Sequence, residues 1–198
     1  MMTDLVRNGF LQAADERLRA MANDSDVFRI LQAGGGDPPD RWRGAFQDVA
    51  YFVKQGGQVQ QVRGDVFFEM RVPEDYFNPR TAEARATLGM RVFGLLTDLF
   101  HPNCSAPGVC LGSAFRPGSD VPELVRVAYY LVTYQLVTTD ESDALNPEAC
   151  RYFRAHPEAC AGLAVRPLRR GGGTSGDSAP AAGAGSGLGN VVTMVRDI

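Results

Sequence analysis

The chain has no excess of positive charge and no long apolar run, and both absences narrow what it can do. Its 198 residues carry 20 basic and 23 acidic side chains, a formal net charge of -3. Without a basic field, nonspecific nucleic-acid binding is not expected. No run approaches the roughly 18 apolar residues that a membrane span needs, and the N-terminus lacks the apolar stretch of a secretion signal. We therefore expect a cytoplasmic protein with no nucleic-acid or membrane partner.

Cysteine and histidine are also scarce. Four cysteines in a chain of this length do not form a dense disulfide framework, which agrees with a reducing compartment. The pairs His101/Cys104 and His156/Cys160 could in principle supply four zinc ligands, but neither lies in a finger-like framework. We therefore predict no metal and no cofactor, and we assign no role to these two cysteines or to Cys150.

The remaining composition predicts one enzyme-sized domain and a tail. With 44% apolar residues, a chain of this length can bury roughly 70% of its unfolded surface in a single core. Gly, Ala and Ser dominate toward the C-terminus, so we place the domain at residues 1–167 and a flexible tail at residues 168–198. A short apolar island at residues 191–195 could dock on the domain.

Hydrophobic periodicity in the first half predicts a helix followed by a sheet. An amphipathic helix is expected over residues 3–22, with Thr3 as its N-cap and Leu5 on its apolar stripe. Strands joined by turns should then form a four-stranded antiparallel meander. These strands are predicted at 27–31, 41–54, 66–72 and 90–93.

The second half switches to helical periodicity, which makes the predicted fold class α+β. Asp120 and Glu123 have the spacing of a capping box and should open a buried helix whose apolar face extends to Gln135. Asn146, followed by proline, should cap a last helix that reaches Ala155.

Three segments in the middle of the chain carry the only chemical signature. The triplet His101-Pro102-Asn103 begins nine positions before Cys110, which leucine follows. Upstream, residues 72–76 read Val-Pro-Glu-Asp-Tyr, and downstream, residues 143–151 read Asp-Ala-Leu-Asn-Pro-Glu-Ala-Cys-Arg. In this order the segments resemble the active-site region of ubiquitin-conjugating (E2) enzymes. The resemblance covers about residues 10–157 of the chain.

The resemblance implies a UBC-like fold and thioester chemistry at Cys110. A thiolate can accept an acyl group from another thioester and keep it activated for attack by an amine. Asn103 would donate a hydrogen bond to the oxyanion formed in that attack, or pin the loop that presents Cys110. Asp143 would guide the incoming lysine, and His101 would stabilise the loop rather than act as a base.

Departures from the family pattern indicate a divergent bacterial E2-like branch. The triplet lies one residue closer to the cysteine than in many members, Gly112 replaces an aspartate, Phe77 replaces a proline, and no tryptophan follows the cysteine. That branch typically works with an E1-like activating enzyme, a ubiquitin-like modifier and often a JAB-type peptidase, in sets linked to antiphage defence. These partners, and a target protein, are what the resemblance implies.

Two other functions remain open at this stage. The first is a non-catalytic E2-variant scaffold that binds a ubiquitin-like protein, although such variants usually lack the cysteine. The second is a cysteine hydrolase that uses Cys110 with His101, which would need a third orienting group.

Lysine is nearly absent, since Lys54 stands against nineteen arginines. A high-GC coding bias would explain this. Thioester chemistry would explain it too, because a nearby amine would be acylated whereas a guanidinium stays protonated and does not attack.

Overall fold

The computed structural model describes residues 4–112 and 115–168, together with the backbone of residues 191–193. The described parts form a mixed α+β fold that begins with a helix and is built around one antiparallel sheet. In chain order the elements are α1 Asp4–Asn23, β1 Phe28–Gly34, β2 Arg41–Gln55, β3 Gln58–Arg71, α2 Ala82–Val92, β4 Phe93–Leu95, β5 Cys104–Ser105, β6 Gly108–Val109, α3 Val121–Val132, β7 Leu136–Thr138, α4 Pro147–Ala155, α5 Pro157–Ala161 and β8 Val191–Thr193.

The main sheet has the strand order β1-β2-β3-β4-β6-β5, and each neighbouring pair is antiparallel. Its centre is the long β2–β3 hairpin, which turns where Gln55 pairs with Gln58. Gly56 and Gly57 form the two-residue turn with φ of 56° and 81°, conformations that glycine adopts without steric cost. A separate two-stranded sheet joins β7 to β8.

The main core lies between one face of this sheet and the helices α1 and α3. Alternate residues of β2 and β3 point inward, as period-two strands require. The largest of them are Trp42, Phe46, Phe68 and Met70, all at most 2% exposed. The buried stripe of α1 and most of α3 cover them.

A second, smaller cluster lies at the far end of β2, where α4 packs. Phe52 of β2 meets Phe153 of α4 with ring centroids 5.1 Å apart. Phe100, Tyr134 and Ala149 complete the contact, so this cluster supports the segment that leads into the His-Pro-Asn triplet. No helix in residues 4–112 or 115–168 is long and apolar enough to cross a membrane.

The structure confirms the mixed α+β class, the N-terminal helix and the antiparallel order of the first strands, but it corrects several details. The sheet has six strands rather than four. Residues 90–92, predicted to start the fourth strand, form the end of helix α2, and β4 begins at Phe93. Leu5 is 83% exposed and therefore does not belong to the buried stripe of α1. Thr3, the predicted N-cap, lies outside the described residues.

The predicted starts of the later helices had different outcomes. Asn146 does cap α4, since its Oδ1 accepts a hydrogen bond of 3.0 Å from the amide of Ala149. Asp120 precedes α3 but makes no side-chain cap, because both of its oxygens bind the guanidinium of Arg17 at 2.7 and 2.8 Å. The helix ends at Val132, before Gln135.

The predicted tail overlaps the folded part at two places. Leu168 is 3% exposed and belongs to the main core. Part of the apolar island forms β8, which pairs with β7. Residues 169–190 and 194–198, also assigned to the tail, lie outside the described residues.

Candidate functional site

His101 lies in the interior, at the start of the triplet. The preceding residue, Phe100, is fixed to β2 by a hydrogen bond of 2.8 Å from its amide to the carbonyl of Phe52. Burial lowers the pKa of His101 to about 3, against the weaker opposing effect of the carbonyls of Leu131 and Leu136. The ring is therefore neutral at physiological pH.

The protonation of this ring follows from its hydrogen bonds. Nδ1 of His101 accepts a hydrogen bond of 3.0 Å from the backbone amide of Asn103, so the proton of the neutral ring is on Nε2. Nε2 is buried without a well-formed hydrogen bond in the described structure. A fully buried ring of this kind stabilises the turn and cannot exchange protons with a substrate.

The short hairpin of β5 and β6 brings Asn103 and Cys110 together. Cys104 pairs with Val109, and both point into the core. The next pair outward is Asn103 and Cys110, joined by a hydrogen bond of 2.8 Å from the amide of Cys110 to the carbonyl of Asn103. Residues opposite each other on antiparallel chains have Cβ atoms roughly 5 Å apart on the same face. The two predicted residues are therefore neighbours along the backbone, just beyond the end of the hairpin.

The side chain of Asn103 is held in one orientation. Its Oδ1 accepts a hydrogen bond of 2.9 Å from the amide of Thr138 in β7. Because the carbonyl end of the amide is fixed in this way, the donor end, Nδ2, is directed away from Thr138. None of the hydrogen bonds found among residues 4–112 and 115–168 uses Nδ2, so this donor is available to a ligand.

Asp143 lies on an acidic loop, residues 139–145. The residues at both ends of this loop are bonded to the triplet. Thr138 precedes the loop and binds Asn103, and Asn146 follows it and donates its amide to the carbonyl of Pro102 at 3.0 Å. Asp143 itself is exposed, and its amide donates to the carbonyl of Asp140 at 3.3 Å.

The other two acidic side chains of this loop have partners. Arg151, by a hydrogen bond of 2.8 Å, and Arg154 lower the pKa of Glu141. Hydrogen bonds from Ser142 lower the pKa of Asp140. Asp143 forms no salt bridge with any residue that the structure describes, so its carboxylate is the one left to interact with a cation.

The remaining thiols are poorer nucleophiles than an exposed cysteine would be. Burial raises the pKa of Cys104, with a smaller contribution from the nearby Cys110. Burial also raises the pKa of Cys150, which donates to the carbonyl of Thr138 at 3.5 Å, and raises the pKa of Cys160 to about 11. Thiolate formation is therefore disfavoured at these three residues. Cys110 is half-buried, and its backbone amide is bonded to Asn103.

The zinc alternative finds no support in the described chain. In residues 4–112 and 115–168, no group of three or more His, Cys, Asp or Glu side chains could hold a metal ion. His101 and Cys104 are buried, whereas His156 is exposed and interacts with Glu158.

Sequence reasoning missed the residues that support the site. Thr138 binds Asn103, and Tyr134 packs against His101, each from more than 30 positions along the chain. The one available signal was Asn103 itself, because a buried amide needs a partner. That partner could not be identified without the fold. Comparisons of this chain with protein-family models and with curated proteins found no match.

Proposed function

We propose that this protein is an E2-like conjugating enzyme with a UBC-like fold that acts in the cytoplasm. It receives a ubiquitin-like modifier from an E1-like enzyme as a thioester on Cys110 and transfers the modifier to an amine of a target protein. A JAB-type peptidase and an antiphage setting belong to the same proposal through the resemblance to the bacterial E2-like branch. The observation that carries it is the backbone hydrogen bond that joins Cys110 to Asn103 at the end of a hairpin, together with the amide donor of Asn103, which has no partner among the residues that the structure describes.

In the first step, the thiolate of Cys110 attacks the thioester carbonyl that joins the modifier to the E1-like enzyme. A tetrahedral intermediate forms, the thiolate of the E1-like enzyme leaves, and the modifier is now joined to Cys110. One thioester replaces another, so this step needs positioning rather than a strong base. The neutral, buried His101 is compatible with that requirement.

In the second step, a neutral amine of the target attacks the thioester on Cys110. The carbonyl oxygen becomes an oxyanion that accepts a hydrogen bond from Nδ2 of Asn103. The carboxylate of Asp143 orients the incoming amine, and the proton lost from nitrogen passes to solvent. The thiolate of Cys110 then leaves, and an amide bond to the target remains.

The two alternatives differ in what the site must contain. A cysteine hydrolase would need His101 as an accessible base, but its ring is fully buried and its Nδ1 is occupied by the amide of Asn103. A scaffold that binds the modifier without reacting would need neither the thiol of Cys110 nor the free donor of Asn103. We retain the scaffold as the second candidate, to be decided by whether Cys110 is acylated.

The deciding experiment mixes the protein with a candidate E1-like enzyme, a candidate ubiquitin-like modifier and ATP. Intact mass is then read with and without a thiol reductant. We expect a reductant-labile adduct of modifier mass that disappears in Cys110→Ala and persists in Cys160→Ala, the matched variant at another partly exposed cysteine. Cys110→Ser should accumulate a reductant-stable oxyester.

Two variants sharpen the result. Lys54→Arg removes the only lysine, so the modifier can no longer form a reductant-stable amide bond with a lysine of this chain. Asn103→Asp keeps an oxygen for the amide of Thr138 but removes the amide donor. We expect Asn103→Asp to charge normally and to discharge to free lysine about 10²- to 10³-fold more slowly. Absence of any adduct with a charged E1-like enzyme would reject the enzyme and favour the scaffold.

A further inference from the structure

The chain leaves helix α3 through a turn that normally requires glycine. The amide of Tyr134 donates to the carbonyl of Leu131, and the amide of Gln135 to the carbonyl of Tyr130, both at 2.8 Å. This pair of bonds is the Schellman motif, in which the first residue beyond the cap adopts a left-handed conformation. Here that residue is Tyr134, with φ of 59°. A residue other than glycine is strained in this conformation, so the contacts of the Tyr134 side chain must offset the strain.

Besides packing against Phe52 and Phe153, the Tyr134 side chain contacts the segment that leads into the candidate site. Its hydroxyl accepts a hydrogen bond of 3.2 Å from the amide of Phe52 and donates one of 2.9 Å to the carbonyl of Phe100. Its ring lies against the ring of His101, with centroids 4.5 Å apart. The side chain is 3% exposed, which strengthens both hydrogen bonds.

The strained turn and the triplet therefore form one connected unit. Tyr134 fixes Phe100 and His101, and His101 accepts the backbone amide of Asn103. The same turn continues into β7, where the amide of Thr138 holds Oδ1 of Asn103. Asn103 is thus fixed through its backbone on one side and through its side chain on the other, and both supports begin at the turn that contains Tyr134.

We propose that Tyr134 is a positioning residue for Asn103: it holds the loop so that Nδ2 points at the oxyanion formed on Cys110. The proposal rests on the proposed function for its catalytic consequence. It assigns Tyr134 to the transfer step, in which the proposed function has the oxyanion accept a hydrogen bond from Asn103. Tyr134 does not touch the reacting atoms and acts only through the loop.

The test uses Tyr134→Phe in the full chain, which keeps the ring and removes the hydroxyl. Tyr129→Phe is the matched control, because Tyr129 is equally buried and its hydroxyl donates to the carbonyl of Arg166 at 2.5 Å, away from the triplet. We expect Tyr134→Phe to charge at the normal rate and to discharge to free lysine at least about fivefold more slowly, with Tyr129→Phe unchanged. In the Asn103→Asp background, Tyr134→Phe should slow discharge no further, because the two residues act as one unit.

A second measurement judges the positioning without conjugation. Amide hydrogen exchange, read by NMR, should be faster at Asn103 and Thr138 in Tyr134→Phe than in Tyr129→Phe, although both variants lose one buried hydroxyl. Equal exchange in the two variants, or equal discharge, would overturn the role of Tyr134. If the protein without substitutions never forms the thioester on Cys110, the proposed function is rejected. The exchange measurement still decides whether Tyr134 positions Asn103.

Discussion

At the scale of single residues, the neutral state of His101 makes the fold sensitive to acid. An unfolded histidine has a pKa near 6.5, whereas burial lowers that of His101 to about 3. The unfolded chain therefore binds this proton more readily than the folded chain below about pH 6.5. The stabilisation is complete above that pH and decreases as the pH falls toward 3.

We expect the free energy of unfolding to drop by about 2 kcal/mol between pH 7 and pH 5 because of His101 alone. Urea unfolding at the two pH values measures it. His101→Asn should lose most of this pH dependence, whereas His156→Asn, at the exposed histidine, should keep it. An unchanged slope in His101→Asn would contradict the assignment.

At the scale of elements, the centre of the sheet depends on a position without a side chain. A Cβ on Gly44 would lie 2.5 Å from Cζ of Phe68 and 2.8 Å from the carbonyl oxygen of Arg29. Gly44→Ala should therefore destabilise the protein by about 1–3 kcal/mol. Gly64→Ala is the control in β3, since a Cβ there meets only the hydroxyl of Tyr51 at 3.9 Å and should change stability by no more than about 0.5 kcal/mol. Urea unfolding measures both values, and equal destabilisation of Gly44→Ala and Gly64→Ala would contradict the close packing at Gly44.

The elements that sequence patterns missed are those with weak periodicity. Helix α2 buries only Leu88 and Val92, so its residues show no clear apolar stripe, and its last turn resembled the start of a strand. The first half of β3 is polar and pairs with β2 as a ribbon with little burial, which removes the alternation that marks a strand. In contrast, α4 was predicted to the residue, because Asn146 and the proline after it are strong start signals.

In the candidate site too, sequence patterns could predict what is local in the chain but not what the fold brings together. Asn103 and Cys110 could be selected because they lie seven positions apart in one recognisable segment. Their supports, Thr138 and Tyr134, are brought in by the tertiary fold, and a strained tyrosine where glycine is usual has no sequence signature. Patterns could therefore indicate the candidate residues but not the groups that hold them in place.

At the scale of the whole molecule, the segment that ends at Leu168 packs against the main core. The C-terminal strap, residues 163–168, lies against the sheet and α3. Arg166 donates to the carbonyl of Gln47 at 2.6 Å, and its own carbonyl accepts the hydroxyl of Tyr129. Leu168 ends the strap inside the main core.

Leu168→Ala should therefore behave as a core substitution. We expect it to lower the free energy of unfolding by about 2 kcal/mol or more. Leu96→Ala, at a leucine that is 58% exposed, should stay within about 0.5 kcal/mol. Chemical denaturation of the two variants measures both changes in the free energy of unfolding. Equally small changes would contradict the assignment of Leu168 to the core.

The two attachments that orient the triplet also set an order of events during synthesis. The ribosome makes Cys110 before Thr138 and Asn146, to which residues 103 and 102 are bound. At typical elongation rates of 5–20 residues per second, the stretch from Cys110 to Asn146 takes about 2–7 s to translate. During that interval the nascent chain already contains the thiol but not the groups that orient Asn103. The candidate site is therefore complete only after the chain has been translated as far as Asn146.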